Sequence, residues 1–144
     1  LSEVSPPTAL APFAAAAITG GLPFPTMMLT WKYTLPAFVF PFAFTLSAQG
    51  MGLLMQGTIA AIALSTGTAI IGILALAAGL GGWIRGPANA IERALAISGG
   101  LLLFYAGTLS DVAGLVLFAA AVAFHLARVR SDAVPQSPRS YQLP

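Results

Sequence analysis

The segment Thr58 to Trp83 constrains this chain most. It is apolar from end to end, carries no Asp, Glu, Lys or Arg, and is long enough to cross a bilayer with some tilt. A helix that is apolar on every side needs apolar surroundings on every side. A chain of 144 residues could supply these as a soluble core only if it had enough charge to cover the outside. It does not. Charged residues make up 7% of the sequence, hydrophobic residues 58%, and mean hydropathy is +0.89. Soluble domains carry about 25% charged residues. The expected class is therefore an all-α polytopic membrane protein. The net charge of +2 is too small and too scattered to suggest nucleic acid as a partner. Without cysteine, disulfides, iron–sulfur clusters and thiolate metal sites are excluded.

The spans follow from apolar length and from the residues that interrupt it. Ser5-Pro6-Pro7-Thr8 breaks the backbone, and an apolar run leads from there to Thr19-Gly20-Gly21, a helix stop. From Thr8 to Thr19 a helix reaches roughly 18 Å, about half a bilayer core. This piece reads either as a short interfacial helix or as half of a discontinuous transmembrane helix. Leu22 to Met28, with Pro23 and Pro25, reads as a loop. It leads to Trp31-Lys32-Tyr33, a cation between two aromatics, which suits the headgroup layer. A first span is expected over Thr34–Leu46, kinked near Pro41, and Ser47–Gly57 is an uncharged turn. The further spans are Thr58–Trp83, Ala94–Ala106 (with a start as early as Ala88 allowed) and Val112–Ala127. The whole is one half-helix followed by four transmembrane helices. Small residues four apart in the second of these spans, Ala61, Ser65 and Ala69, then Ala75 and Gly79, suit close helix packing. The hydroxyls of Ser65, Thr66 and Thr68 fit an ion site or, the commoner role and the one assigned, that packing. With four spans, Lys32, Arg85, Arg93, Arg128, Arg130 and Arg139 all fall on one face, which the positive-inside bias makes cytoplasmic. Ser131–Pro144 reads as a disordered tail.

Reactive side chains are few. His125 sits one turn before Arg128 and reads as an interfacial anchor. Glu92 and Arg93 read as solvated interfacial residues, and Ser110 or Asp111 as an N-cap. No Asp, Glu, Lys or Arg lies deep within an expected span, which argues against a self-contained pump or an embedded enzyme. No phosphate-cradling loop is present.

Several of these stretches resemble one family. Ser5-Pro6-Pro7-Thr8-Ala9-Leu10-Ala11, the Ala-rich half-helix to Gly20, a Pro-Phe turn and Leu35-Pro36-Ala37-Phe38-Val39-Phe40-Pro41-Phe42 resemble the end of the large membrane subunit of tripartite ATP-independent periplasmic (TRAP) transporters. Met55-Gln56-Gly57 and the helices after it resemble the C-terminal extension of fused permeases of the TAXI type. The resemblance implies a C-terminal piece of a longer permease. Residues 1–57 would end the transport core, 58–130 would form a three-helix extension, and 131–144 the cytoplasmic tail. It implies sodium-driven uptake of an organic acid delivered by a periplasmic solute-binding protein. Sodium would be the coupling ion, with no other cofactor and no enzymatic activity. The partners would be the rest of the permease and the lipid of a bacterial inner membrane. Ser5, Pro6, Pro7 and Thr8 would lie near the ion and substrate. Where the family often has Thr-Pro-Pro, this chain has Ser5-Pro6-Pro7. The alternative from a different class is a small multispan scaffold or accessory protein without transport activity.

Overall fold

The computed structural model describes residues 2–6, 8–105 and 107–132. It is all-helical, with α1 Leu10–Thr19, α2 Pro23–Thr45, α3 Ile59–Gly81, α4 Ala90–Phe104 and α5 Thr108–Asp132. Short 3-10 turns lie at Ser2–Val4 and Gln49–Leu54. Pro7, Ala106 and the expected tail beyond residue 132 lie outside the described residues, whereas Ser131 and Asp132 continue α5.

Each helix boundary has a local cause. Glycine ends α1 and α3: Gly20 and Gly82 take left-handed φ values of 71° and 73°, and their amides close on Ala16 and Ala78. Thr58 caps α3 by accepting the Ala61 amide at 3.3 Å. Asn89 caps α4 within a capping box: its side chain accepts the Glu92 amide at 2.8 Å, while the Glu92 carboxylate accepts the Asn89 amide at 3.0 Å. The third expected span therefore begins at Ala90, with Glu92 and Arg93 in its first turns.

Two expected boundaries are corrected. Leu22–Met28 is not a loop, because α2 begins at Pro23 and runs unbroken to Thr45. Pro23 and Pro25 lie in its first turn, where a missing N–H leaves no intrahelical bond unmade. The hydroxyls of Thr26, Thr30 and Thr34 each donate to the carbonyl four residues back, at 2.8–3.0 Å. Trp31-Lys32-Tyr33 thus lies within a helix and does not open one. Likewise, Ser110 and Asp111 are not caps. α5 starts at Thr108, the Asp111 amide already bonds the Gly107 carbonyl at 2.8 Å, and the Ser110 hydroxyl donates to the carbonyls of Tyr105 and Gly107.

Consecutive long helices run antiparallel. Tyr33 reaches Gly81, and Phe40 packs beside Ile73 on the core residues Ala43, Leu76 and Phe104. The α3–α4 and α4–α5 crossings are made by glycine. A Cβ at Gly79 would lie 2.6 Å from Ile97, and one at Gly100 would lie 3.0 Å from the Gly72 carbonyl. Gly99 and Gly114 face each other, so that a Cβ on either would lie 2.7–2.8 Å from the other's carbonyl. Small residues allow this approach, and the close backbone contact supplies the dispersion energy that apolar surroundings do not. Of the three hydroxyl residues assigned to packing, Ser65 and Thr68 are buried, whereas Thr66 is exposed and takes no part in it. Ser65 lies under the Gln49–Leu54 turn: a Cβ on Gly52 would meet its hydroxyl at 2.7 Å.

Among the described residues two helices, α3 and residues Thr108–Ser131 of α5, are long and apolar enough to cross a membrane. Only 22% and 17% of their apolar windows is buried by the rest of the chain, unlike a core helix of a soluble protein. α4 has 15 residues, about 22 Å, and α2 carries Lys32 in its interior. Because Tyr33 lies at Gly81, residues 23–32 run past the end of α3 by about 15 Å. α1 packs on α2 and the Ser2–Val4 turn and touches none of α3, α4 and α5.

The glycine crossings predict a contrast between two single changes. Gly114→Ala forces a methyl group against the Gly99 carbonyl and should destabilise the α4–α5 hairpin by about 1–3 kcal/mol. Gly67→Ala, with open space around it in α3, should leave stability unchanged or raise it by about 0.5–1 kcal/mol. Thermal unfolding of the purified variants in detergent measures both; equal melting points would refute the close crossing.

Candidate functional site

The residues singled out from the family resemblance lie at the start of the described chain. The Ser2–Val4 turn folds back so that the Thr8 hydroxyl donates to the Ser2 carbonyl at 2.9 Å and to the Ser5 carbonyl at 3.4 Å. The Ala9 amide also donates to the Ser5 carbonyl, at 3.0 Å. Ser5 is half-buried, while Pro6 and Thr8 are exposed. The backbone break that the sequence predicts is therefore present, and the Ser2 and Ser5 carbonyls it frees are taken up by Thr8 and Ala9. Among the described residues no group of three or more His, Cys, Asp or Glu side chains could hold a metal ion.

The polar centre of the structure is elsewhere, at the end of the bundle where α3 passes into α4. Glu92 and His125, expected at a solvated interface, are both 0% exposed. The capping box turns the Glu92 carboxylate inward, and α5 brings two residues one helical turn apart, His125 and Arg128, against it. Arg128 grips the carboxylate side-on, with Nε donating to Oε1 at 2.8 Å and Nη2 to Oε2 at 3.1 Å. This is the planar two-point geometry that suits a guanidinium. His125 Nδ1 lies 2.9 Å from Oε2, and its Nε2 accepts the Arg85 amide at 3.2 Å. A nitrogen that accepts a backbone N–H presents its lone pair, so the proton sits on Nδ1 and is donated to Glu92. Arg128 Nη2 also donates to the Pro87 carbonyl at 2.7 Å.

Four donors therefore converge on one buried carboxylate. Glu92 belongs to the first turns of α4, before the apolar run 94–106. Both of its oxygens are engaged, Oε1 by one donor and Oε2 by three. The arrangement is a lock: one carboxylate ties the start of α4 to the end of α5, and His125 and Arg128 tie the 82–89 loop to both. Arg93, next in sequence, points away and donates from Nε to the Gly79 carbonyl at 2.9 Å, closing α4 onto α3.

Sequence reasoning misses this site although half of it is readable. Asn89-Ala90-Ile91-Glu92 has the spacing of a capping box, and His125 and Arg128 are three apart on one helix face. What joins them is the antiparallel register of α4 and α5, set by the Gly99–Gly114 crossing. At the opposite end, Asp111 Oδ1 is buried without a hydrogen-bond partner among the described residues. The chain matches no protein-family profile, no curated protein and no solved structure.

The lock predicts a definite cost of removal. Glu92→Ala should cost about 3 kcal/mol at neutral pH, since it unmakes the capping box and leaves the guanidinium without its partner. Melting temperatures of the two proteins in detergent at neutral pH test this; equal melting points would contradict the assignment.

Proposed function

We propose that this chain is the C-terminal part of the large membrane subunit of a sodium-coupled secondary transporter of the TRAP type. In this reading it takes up an organic acid handed over by a periplasmic solute-binding protein. The observation that carries the reading is α1. It is a ten-residue helix without charge, about 15 Å long, that begins just after a proline-marked backbone break and ends at a left-handed glycine. It is too short to cross a bilayer, and Leu10, Phe13 and Ile18 stay exposed around it. Leu22 and Phe24, beside it at the start of α2, are exposed as well. An uncharged half-length helix with apolar faces on all sides suits a larger protein body around it. Half-helices of this kind build substrate and ion sites in secondary transporters, where their positive N-termini face an anion.

The basic residues support the proposed orientation. Tyr33 at Gly81, Arg93 on Gly79, the Arg85 amide on His125 and Arg128 on Pro87 gather Lys32, Arg85, Arg93 and Arg128 at one end of the bundle. Arg130, in the last turn of α5, joins them. That end is assigned to the cytoplasm of a bacterial inner membrane, with the part of α2 from Thr34 onward and α3, α4 and α5 as the four spans and the C-terminus inside. The scaffold alternative draws on a different observation, the closed glycine-packed unit of α3, α4 and α5. The reading frame upstream of Leu1 separates the two, since only a transporter requires a hairpin-bearing permease there.

Sodium-dependent uptake tests the proposal. In the complete transporter, reconstituted with its binding protein, Ser5→Ala and Pro6→Ala should raise the sodium concentration for half-maximal uptake severalfold. Ser65→Ala and Thr68→Ala, at packing positions, should leave it unchanged. Unchanged half-saturation in both N-terminal variants would remove the site assignment.

A further inference from the structure

An open apolar groove of about 470 Å³ runs between α2 and α3. Tyr33, Thr34, Pro36, Ala37 and Phe40 line it from α2, and Ile73 and Ala77 from α3; the Thr34 hydroxyl is taken up by the Thr30 carbonyl of its own helix. Its volume falls within the range of about 300–1,000 Å³ typical of ligand sites. The depth comes from Ala37 and Ala77, whose short side chains leave the space between the two helices unfilled. Water has few polar partners there, so the natural occupant is hydrocarbon.

The groove also has a direction. Tyr33 stands at the basic end, level with Gly81, while Phe40 and Ile73 lie deeper along α3. At the Tyr33 end a cation is in place: Lys32 Nζ lies 5.5 Å from the centre of the Tyr33 ring. Among the described residues Lys32 has no carboxylate partner, whereas Arg128 is taken up by Glu92 and Arg93 bonds the Gly79 carbonyl. A positive head at the mouth and an apolar channel running inward match one chemistry, an anionic head attached to an alkyl chain. Exposed Trp31 and Trp83 stand at the same end, as aromatic residues do at a headgroup layer.

We propose that this groove binds one acyl chain of an anionic phospholipid, with the lipid phosphate held by Lys32. The assignment rests on the membrane reading above and adds a specific lipid site to it. Lys32 is well suited to the role because its long stem can lie along the aromatic surface while its ammonium reaches the phosphate. The groove then explains why α2 keeps a cation in the interior of a helix otherwise without charge.

The test uses Trp31 as a reporter, in protein carrying Trp83→Phe, reconstituted into vesicles of phosphatidylcholine and phosphatidylglycerol. Brominated acyl chains are placed on one lipid or the other at equal mole fraction. Brominated phosphatidylglycerol should quench Trp31 at least twofold more than brominated phosphatidylcholine. Lys32→Gln should remove that preference, and Arg85→Gln with Arg130→Gln should keep it. Ala37→Phe, which fills the groove, should lower quenching by the anionic lipid while the protein's helical content stays the same. Equal quenching by the two lipids in unsubstituted protein would overturn the site. Loss of the preference in the arginine variant would overturn it too, by showing a diffuse surface attraction. Absence of quenching by either lipid would overturn the membrane reading along with the site.

Discussion

One carboxylate organises the polar end of this structure. Glu92 is buried completely, and a buried charge is tolerable only when it is paired and its hydrogen-bonding positions are filled. The chain meets that condition with groups from two places. Asn89 belongs to the same helix start, while His125 and Arg128 come from the far end of α5. His125 and Arg128 in turn hold the 82–89 loop through the Arg85 amide and the Pro87 carbonyl. The side chain of Arg128 remains 35% exposed, so the guanidinium stays partly solvated while the carboxylate does not. That asymmetry makes Glu92 the member whose removal matters most.

The lock requires a register, and the register comes from glycine. α4 and α5 meet where Gly99 and Gly114 bring their backbones together, and α3 and α4 meet at Gly72, Gly79 and Gly100. A slip of one residue at the first crossing would turn a side chain into the partner backbone and carry His125 and Arg128 around the helix, away from Glu92. Packing and polar chemistry thus specify the same arrangement, which is the consistency expected of a sequence that selects one structure. The outer faces of α3 and α5 remain apolar and uncovered, so this three-helix unit is complete on its inside and depends on apolar surroundings outside.

Much of this is legible in the residues, and the failures have physical causes. The limits of α3 can be read to within about two residues because threonine and glycine mark them. α2 is longer than its residues suggest, because Pro23 and Pro25 look like loop residues yet fall in a helix start that does not use their missing amides. Ser110 and Asp111 resemble caps by residue type, but the turn at Gly107 begins the helix earlier. Glu92 and His125 look interfacial because each is polar beside apolar runs. Single residues carry that information poorly: the partners are 33 positions apart, and only tertiary packing brings them together. The backbone break at Ser5 is legible, whereas the ion and substrate roles proposed for it come from family resemblance.

Amide hydrogen exchange across residues 82–89 measures the central interaction most directly. The account predicts slow exchange at Arg85 in the unsubstituted protein, because a buried imidazole accepts its amide. In Glu92→Gln the same amide should exchange at least tenfold faster, together with those at the end of α5, while the amides of α3 keep their protection. Unchanged protection at Arg85 in that variant would show that the loop is held by something other than the Glu92 lock.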